Sequence, residues 1–139
     1  MIVRIDHVGF ATDDPAGLAG LMTDLGLGLT DEGTADEYGV ACEFWCDPQG
    51  TALELVSPTR EDSAIAGRLS SSGPGLYHLA LEVDDLESEM DRLRGAGLLQ
   101  VDRQPCQGAR PGMRVAFLYA KRPAGLLVEL VQYPATTRS

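Results

Sequence analysis

Cysteine, histidine and aromatic residues are scarce in this chain, and basic residues are heavily outnumbered. There are three cysteines, two histidines and 6% aromatics, with 11 Lys and Arg against 21 Asp and Glu. The three cysteines, Cys42, Cys46 and Cys106, are too few and too odd in number for a disulfide framework. Cys42 and Cys46 fall in an apparent strand, which sets them roughly 13 Å apart at about 3.3 Å per residue. They cannot share a zinc ion or a disulfide there, and they read as small buried hydrophobes, with one of them lining a pocket as the alternative. A net charge of −10 argues against a nucleic-acid surface, which needs clustered Lys and Arg, and against general attraction to a membrane. No long apolar run and no leader-like N-terminus is visible, so a cytoplasmic location is the expectation.

What the chain does contain is a repeat. Its 139 residues suit one domain with a proper core. Superposing "DHVGFATDD" (6–14) on "YHLALEVDD" (77–85) aligns His7 with His78 and Asp13-Asp14 with Asp84-Asp85. The match continues without a gap to Gly26-Leu27 and Gly97-Leu98. Each half begins as an alternating strand: Val8 and Phe10 oppose His7 and Gly9, while Leu79, Leu81 and Val83 oppose His78 and Ala80. An Asp then caps a helix, Pro15 suits a first turn, and Gly26 and Gly97 are natural stops. Two strands follow around "DPQG" in one half and around "KRPAG" in the other. Their last strands end in "LELV" and "VELV", pairing Glu54 with Glu129.

The expected fold is α+β: one domain over 1–139 made of two tandem βαβββ modules, whose mixed sheet curls around a metal-binding cleft. Module one covers about 1–58 and module two about 75–134. The linker of about 59–74 carries a short helix over "DSAIAGRL" and a Ser/Gly/Pro-rich end. His7, Glu54, His78 and Glu129 all fall on the strand face opposite the helix-packing residues. Any one of them alone reads as structural or solvated. The shared repeat makes them candidate ligands of a two-imidazole, two-carboxylate site for Co²⁺, Ni²⁺, Mn²⁺ or Zn²⁺, without the thiolates of a closed structural zinc site.

At these residues the chain resembles the vicinal oxygen chelate (glyoxalase/bleomycin resistance/dioxygenase) superfamily, and within it the methylmalonyl-CoA epimerases. The likeness spans essentially the whole chain and rests on "IDHVGFAT", "LELVSPTREDSAIAGRL", "GLYHLALEVDDLESEMDRLRGAGL" and "GLLVELVQYP". It implies metal ligands at His7, Glu54, His78 and Glu129. It also implies proton transfer at a carbon between a thioester and a carboxylate, with Glu129 as ligand and one acid/base. Some members use a Glu three residues beyond a Gly-Val-linked glycine as the second acid. Here the acid, Glu43, comes one residue later, and a one-residue slip turns a strand side chain to the other face unless a bulge corrects it.

Two further departures from that family are Tyr77 where a second His often stands, and Tyr119-Ala120 in place of His-Pro. Arg110, Arg114, Lys121 and Arg122 are candidate contacts for the phosphates of an acyl-CoA thioester, and a homodimer is expected from the resemblance. Bacterial glyoxalase I shares the His/Glu/His/Glu pattern. A repurposed secondary-metabolism isomerase or cyclase is another enzyme reading. A metal-free antibiotic-binding protein, with Phe44, Trp45 and Tyr77 as stacking surfaces, is the reading from a different class.

Overall fold

A computed structural model of the chain describes residues 1–134. Among them are nine strands and three helices, giving a mixed α+β fold. In the first half, β1 (Ile2–Ala11) leads to helix α1 (Pro15–Asp24), then to β2 (Gly28–Ala35), β3 (Val40–Cys46) and β4 (Ala52–Pro58). In the second, β5 (Gly75–Val83) leads to α3 (Leu86–Gly95), two short strands β6 (Leu99–Gln100) and β7 (Cys106–Gln107), then β8 (Arg114–Ala120) and β9 (Leu126–Gln132). Helix α2 (Ala66–Ser72) lies between the halves.

The caps are those expected from the repeated Asp pairs. Asp14 accepts a 2.9 Å bond from the Gly17 amide, and Asp85 accepts a 3.1 Å bond from the Ser88 amide, each relieving an orphan donor of the first helical turn. Pro15 occupies the first turn of α1. Both helices run out into a glycine at positive φ, Gly26 at 88° and Gly97 at 106°, a conformation that a Cβ would disfavour. The helix expected over "DSAIAGRL" instead forms at Ala66–Ser72. The preceding residues are held in turns, where Arg60 bonds Asp62 at 2.7 Å and the Asp36 carbonyl at 2.6 Å.

Among the described residues two compact units form, one of residues 7–77 and one of residues 1–6 with 78–134. Met1–Asp6 groups with the second half of the chain, and the α2 region with the first. In the unit of residues 7–77, β1 runs parallel to β4, and β4 and β2 both run antiparallel to β3. Met22 of α1 packs against Trp45 and Leu55, with Phe10, Leu18 and Leu53 at the margin.

In the other unit, β5 runs parallel to β9, and β8 pairs antiparallel with β9, β6 and β7. Leu86 and Met90 of α3 pack on Ala116, Leu118, Val128 and Leu130, and Ile2 joins them from β1. Full burial of such a leucine contributes about 1.5–3 kcal/mol. The strand expected after α3 survives only as β6 and β7. The chain between them contains Pro105, which cannot donate to a ladder, and Asp102 stands in with its side chain, accepting the Phe117 amide at 2.7 Å.

A buried charged network also lies in this unit. The Tyr133 hydroxyl donates to Asp6 Oδ2 at 2.9 Å and accepts from Arg110 Nη1 at 2.7 Å. Burial, followed by the Asp6 charge, raises the Tyr133 phenol well above its ordinary range, so it remains a donor. We expect Tyr133→Phe, which strips that donor from a fully buried carboxylate, to destabilise the fold by about 1–3 kcal/mol. The check is the urea midpoint at unchanged m-value, and an unmoved midpoint would contradict the role given to the network.

Around α3, Arg92 holds the Glu89 carboxyl below its usual value, and Arg114 does the same for Glu87. Folded values below the unfolded ones mean that these groups stabilise above about pH 4 and that the contribution is lost as pH falls through the folded values. Urea midpoints should therefore decline on acidification below about pH 4, and less steeply in Glu89→Gln than in the parent.

Candidate metal centre

Strand pairing assigns each candidate ligand to a face. Cα partners across a sheet share a side, and successive residues alternate. In the unit of residues 7–77, Val8 pairs with Leu53 and Phe10 with Leu55, on the side that α1 covers. His7 and Gly9 therefore lie on the opposite side, together with Ala52 and Glu54. There His7 Nε2 stands 3.3 Å from Glu54 Oε1. Phe44, the β3 partner of Glu54, meets the His7 ring edge-on with centroids 5.5 Å apart.

The other unit repeats this arrangement. Leu79 pairs with Val128 and Leu81 with Leu130 under α3, so His78, Ala80 and Glu129 face away from the helix. His78 Nε2 lies 3.1 Å from Glu129 Oε1. Phe117, the β8 partner of Glu129, meets the His78 ring edge-on at 5.3 Å. His7 is 0% exposed, Glu54 5%, and His78 and Glu129 6% each. Carboxylates this deeply buried need a paired charge or a metal to offset lost hydration.

The donor atoms suit a divalent ion. Two ligand atoms bound at about 2.0–2.2 Å, subtending an angle between a right angle and a tetrahedral one, lie roughly 3.0–3.5 Å apart. Both His–Glu separations fall in that interval. Imidazole nitrogen with carboxylate oxygen matches the borderline divalent metals.

Other residues singled out in the sequence go elsewhere. Glu43 pairs with Leu55 and stands beside Trp45, on the α1 side of β3, facing away from Glu54. Its carboxylate accepts the Trp45 indole N–H at 3.0 Å. The β3–β4 pairing runs unbroken from Val40 to Cys46, so no bulge returns Glu43 to the ligand face. Trp45 is a core residue under α1 rather than a stacking surface, while Phe44 lies on the ligand side. Arg110 is buried and bonds Tyr133, and Arg114 pairs with Glu87; neither is an unengaged surface cation. Lys121 and Arg122 are exposed.

The paired phenylalanines escaped the sequence reading, because Phe44 precedes Glu54 by fewer residues than Phe117 precedes Glu129. Aligning the halves backwards from the glutamates across turns of unequal length would have revealed them. Cys42 is buried on the ligand side with Phe44.

The same fold occurs in known proteins. The chain is 36% identical over 135 residues to the ethylmalonyl-CoA/methylmalonyl-CoA epimerase of Cereibacter sphaeroides, covering 95% of this chain and 99% of that one. It is 31% identical to the human mitochondrial methylmalonyl-CoA epimerase, over 93% of this chain and 73% of the relative. The crystal structure of methylmalonyl-CoA epimerase from Mycobacterium tuberculosis superposes with a TM-score of 0.87 at 31% identity, covering 97% of this chain and 91% of that one. A methylmalonyl-CoA epimerase in complex with methylmalonyl-CoA and NH4+ gives 0.85 at 30% identity, with 97% of each chain covered. With residues 6–117 also matching its family profile, the chain belongs to the glyoxalase/bleomycin resistance protein/dioxygenase superfamily.

Proposed function

We propose that the two His–Glu pairs are the halves of one divalent-metal centre, and that the protein is a metal-dependent epimerase acting on an acyl-CoA thioester of the methylmalonyl-CoA kind. The observation that carries this is the repeated trio of His, Glu and edge-on Phe, found once in each unit on the side away from its helix. Epimerases of ethylmalonyl-CoA and methylmalonyl-CoA among the relatives support the substrate class.

A divalent ion held by His7, Glu54, His78 and Glu129 would supply Lewis acidity, drawing negative charge onto substrate oxygens. The chain's own groups do the remaining work. A hydrogen between a thioester carbonyl and a carboxylate is acidic enough for a positioned carboxylate to remove, leaving a planar enolate. Glu129 is the proposed base. The surrounding Phe117 and Ala80, with the burial of His78 and Glu129 themselves, keep bulk water from the carboxylate, which strengthens its electrostatic interactions. Phe44 does the same beside His7.

Two measurements test this. Co²⁺ or Ni²⁺ titration of the metal-stripped protein should fill a single site per chain, and His78→Ala should abolish that site; unchanged stoichiometry and affinity would remove the four-ligand centre. In D₂O, metal-loaded protein given one epimer of methylmalonyl-CoA should place deuterium at the α-carbon and yield both epimers. Glu129→Gln should slow this by about 10²-fold or more. No exchange, with turnover of the methylglyoxal–glutathione hemithioacetal in its place, would assign the chain to glyoxalase chemistry.

A further inference from the structure

Inverting a carbon centre requires proton transfer on both faces of the planar enolate, and Glu129 can serve only one of them. Glu43, the acid expected for the other, is turned to the α1 side and bonded to Trp45. The side of β3 that shares the Glu54 face carries Val40, Cys42, Phe44 and Cys46, paired with Pro58, Val56, Glu54 and Ala52. From β2, Gly28, Asp31, Gly33 and Ala35 meet the same side.

Apart from Glu54, already assigned as a ligand, three of these residues have side chains that exchange protons. Asp31 is exposed and follows the register shift in β2. Cys46 is half-buried with its Sγ 3.1 Å from Thr30 Oγ1, at the end of β3. Cys42 is 5% exposed and one step along the face from Phe44, whose ring touches His7. The internal repeat gives a separate indication. Phe44 corresponds to Phe117, so Cys42 corresponds to Val115, and their β4 and β9 partners are both valines, Val56 and Val131. The second unit fills this position with a buried aliphatic side chain. The first places a thiol there, on the strand face that also carries the buried His7–Glu54 pair.

Resting on the epimerase reading above, we infer that Cys42 is the proton-transfer group for the second face of the substrate carbon. Glu129 takes the α-proton from one face, and the C–H electron pair passes into the enolate. The Cys42 S–H then delivers its proton to the opposite face, forming the new C–H bond and leaving a thiolate. In the reverse direction the thiolate takes the proton and protonated Glu129 returns one; after a forward turnover Glu129 gives its proton to water and the thiolate regains one from water, so the sum is an isomerisation with no net acid consumed and no redox partner.

The experiment follows inversion and exchange separately in D₂O, starting from each single epimer with metal-loaded protein. Cys42→Ser keeps the size and burial of the side chain but replaces the thiol with a far weaker acid. It is expected to retain one metal per chain and to exchange the α-proton of one epimer with retention of configuration, while inversion falls about 10²-fold or more. Cys42→Ala should behave alike, and serves if the serine variant fails to fold. Inversion at the parent rate in a folded, metal-loaded variant would overturn the assignment. Loss of exchange from both epimers together with inversion, metal still bound, would also overturn it, because the thiol would then not be specific to one face. Parent protein that neither exchanges nor inverts the substrate removes the epimerase reading itself, an outcome distinct from either result in the variants.

Discussion

The two-residue period of a β-strand governs this molecule more than any single bond. Each strand has one side for its helix and one side for the donors, and a residue cannot serve both. In the first unit the helix side is Phe10, Trp45, Leu53 and Leu55, and the opposite side is His7, Phe44 and Glu54. In the second the division is Leu81, Leu118, Val128 and Leu130 against His78, Phe117 and Glu129. The apolar packing that stabilises the fold thereby sets the direction of the polar groups. A slip of one position in β3 or β4 would bury the wrong residues and turn the donors around together.

That coupling also accounts for the buried carboxylates. Glu54 and Glu129 are flanked along the chain by residues that must point to a helix, so they point to the interior of the other face. A histidine nitrogen stands 3.3 Å from the first and 3.1 Å from the second. Edge-on phenylalanines complete each environment and place the positive rim of one ring toward the electron-rich face of the other. The repeat is therefore not only a matching of letters; it preserves a three-residue contact whose members come from three different strands.

Much of this was legible in the sequence, because its signals are local. The Asp caps, the stopping glycines and the alternation about His7 and His78 lie within single elements. What escaped required knowledge of partners. The side taken by Glu43 depends on its phase against β4, and a strand read alone has a period but no absolute phase. Arg110 reads as a surface charge because Asp6 and Tyr133, which it joins in the fold, are distant in sequence or lie beyond two strands. The strand after α3 shortens to β6 and β7 because Asp102 replaces a backbone partner with its side chain, a substitution no hydrophobic pattern announces. The exchange of Met1–Asp6 into the second unit is likewise a tertiary choice, made by Ile2 packing beneath α3.

That exchange bears on the order in which the chain can assemble during synthesis. The opening half of β1 emerges first, yet the residues it packs with arrive only after the entire 7–77 unit has been made. Met1 waits for Asp84 and Glu89, Ile2 for the α3 core, and Asp6 for Tyr133. Contacts so far apart in sequence close late, because the entropy of a long loop must be met before they form. The leading strand is thus anchored at His7 by early partners and at Met1–Asp6 by late ones. His7 sits at that junction, making the first ligand encoded also the point where the nascent first unit awaits the second.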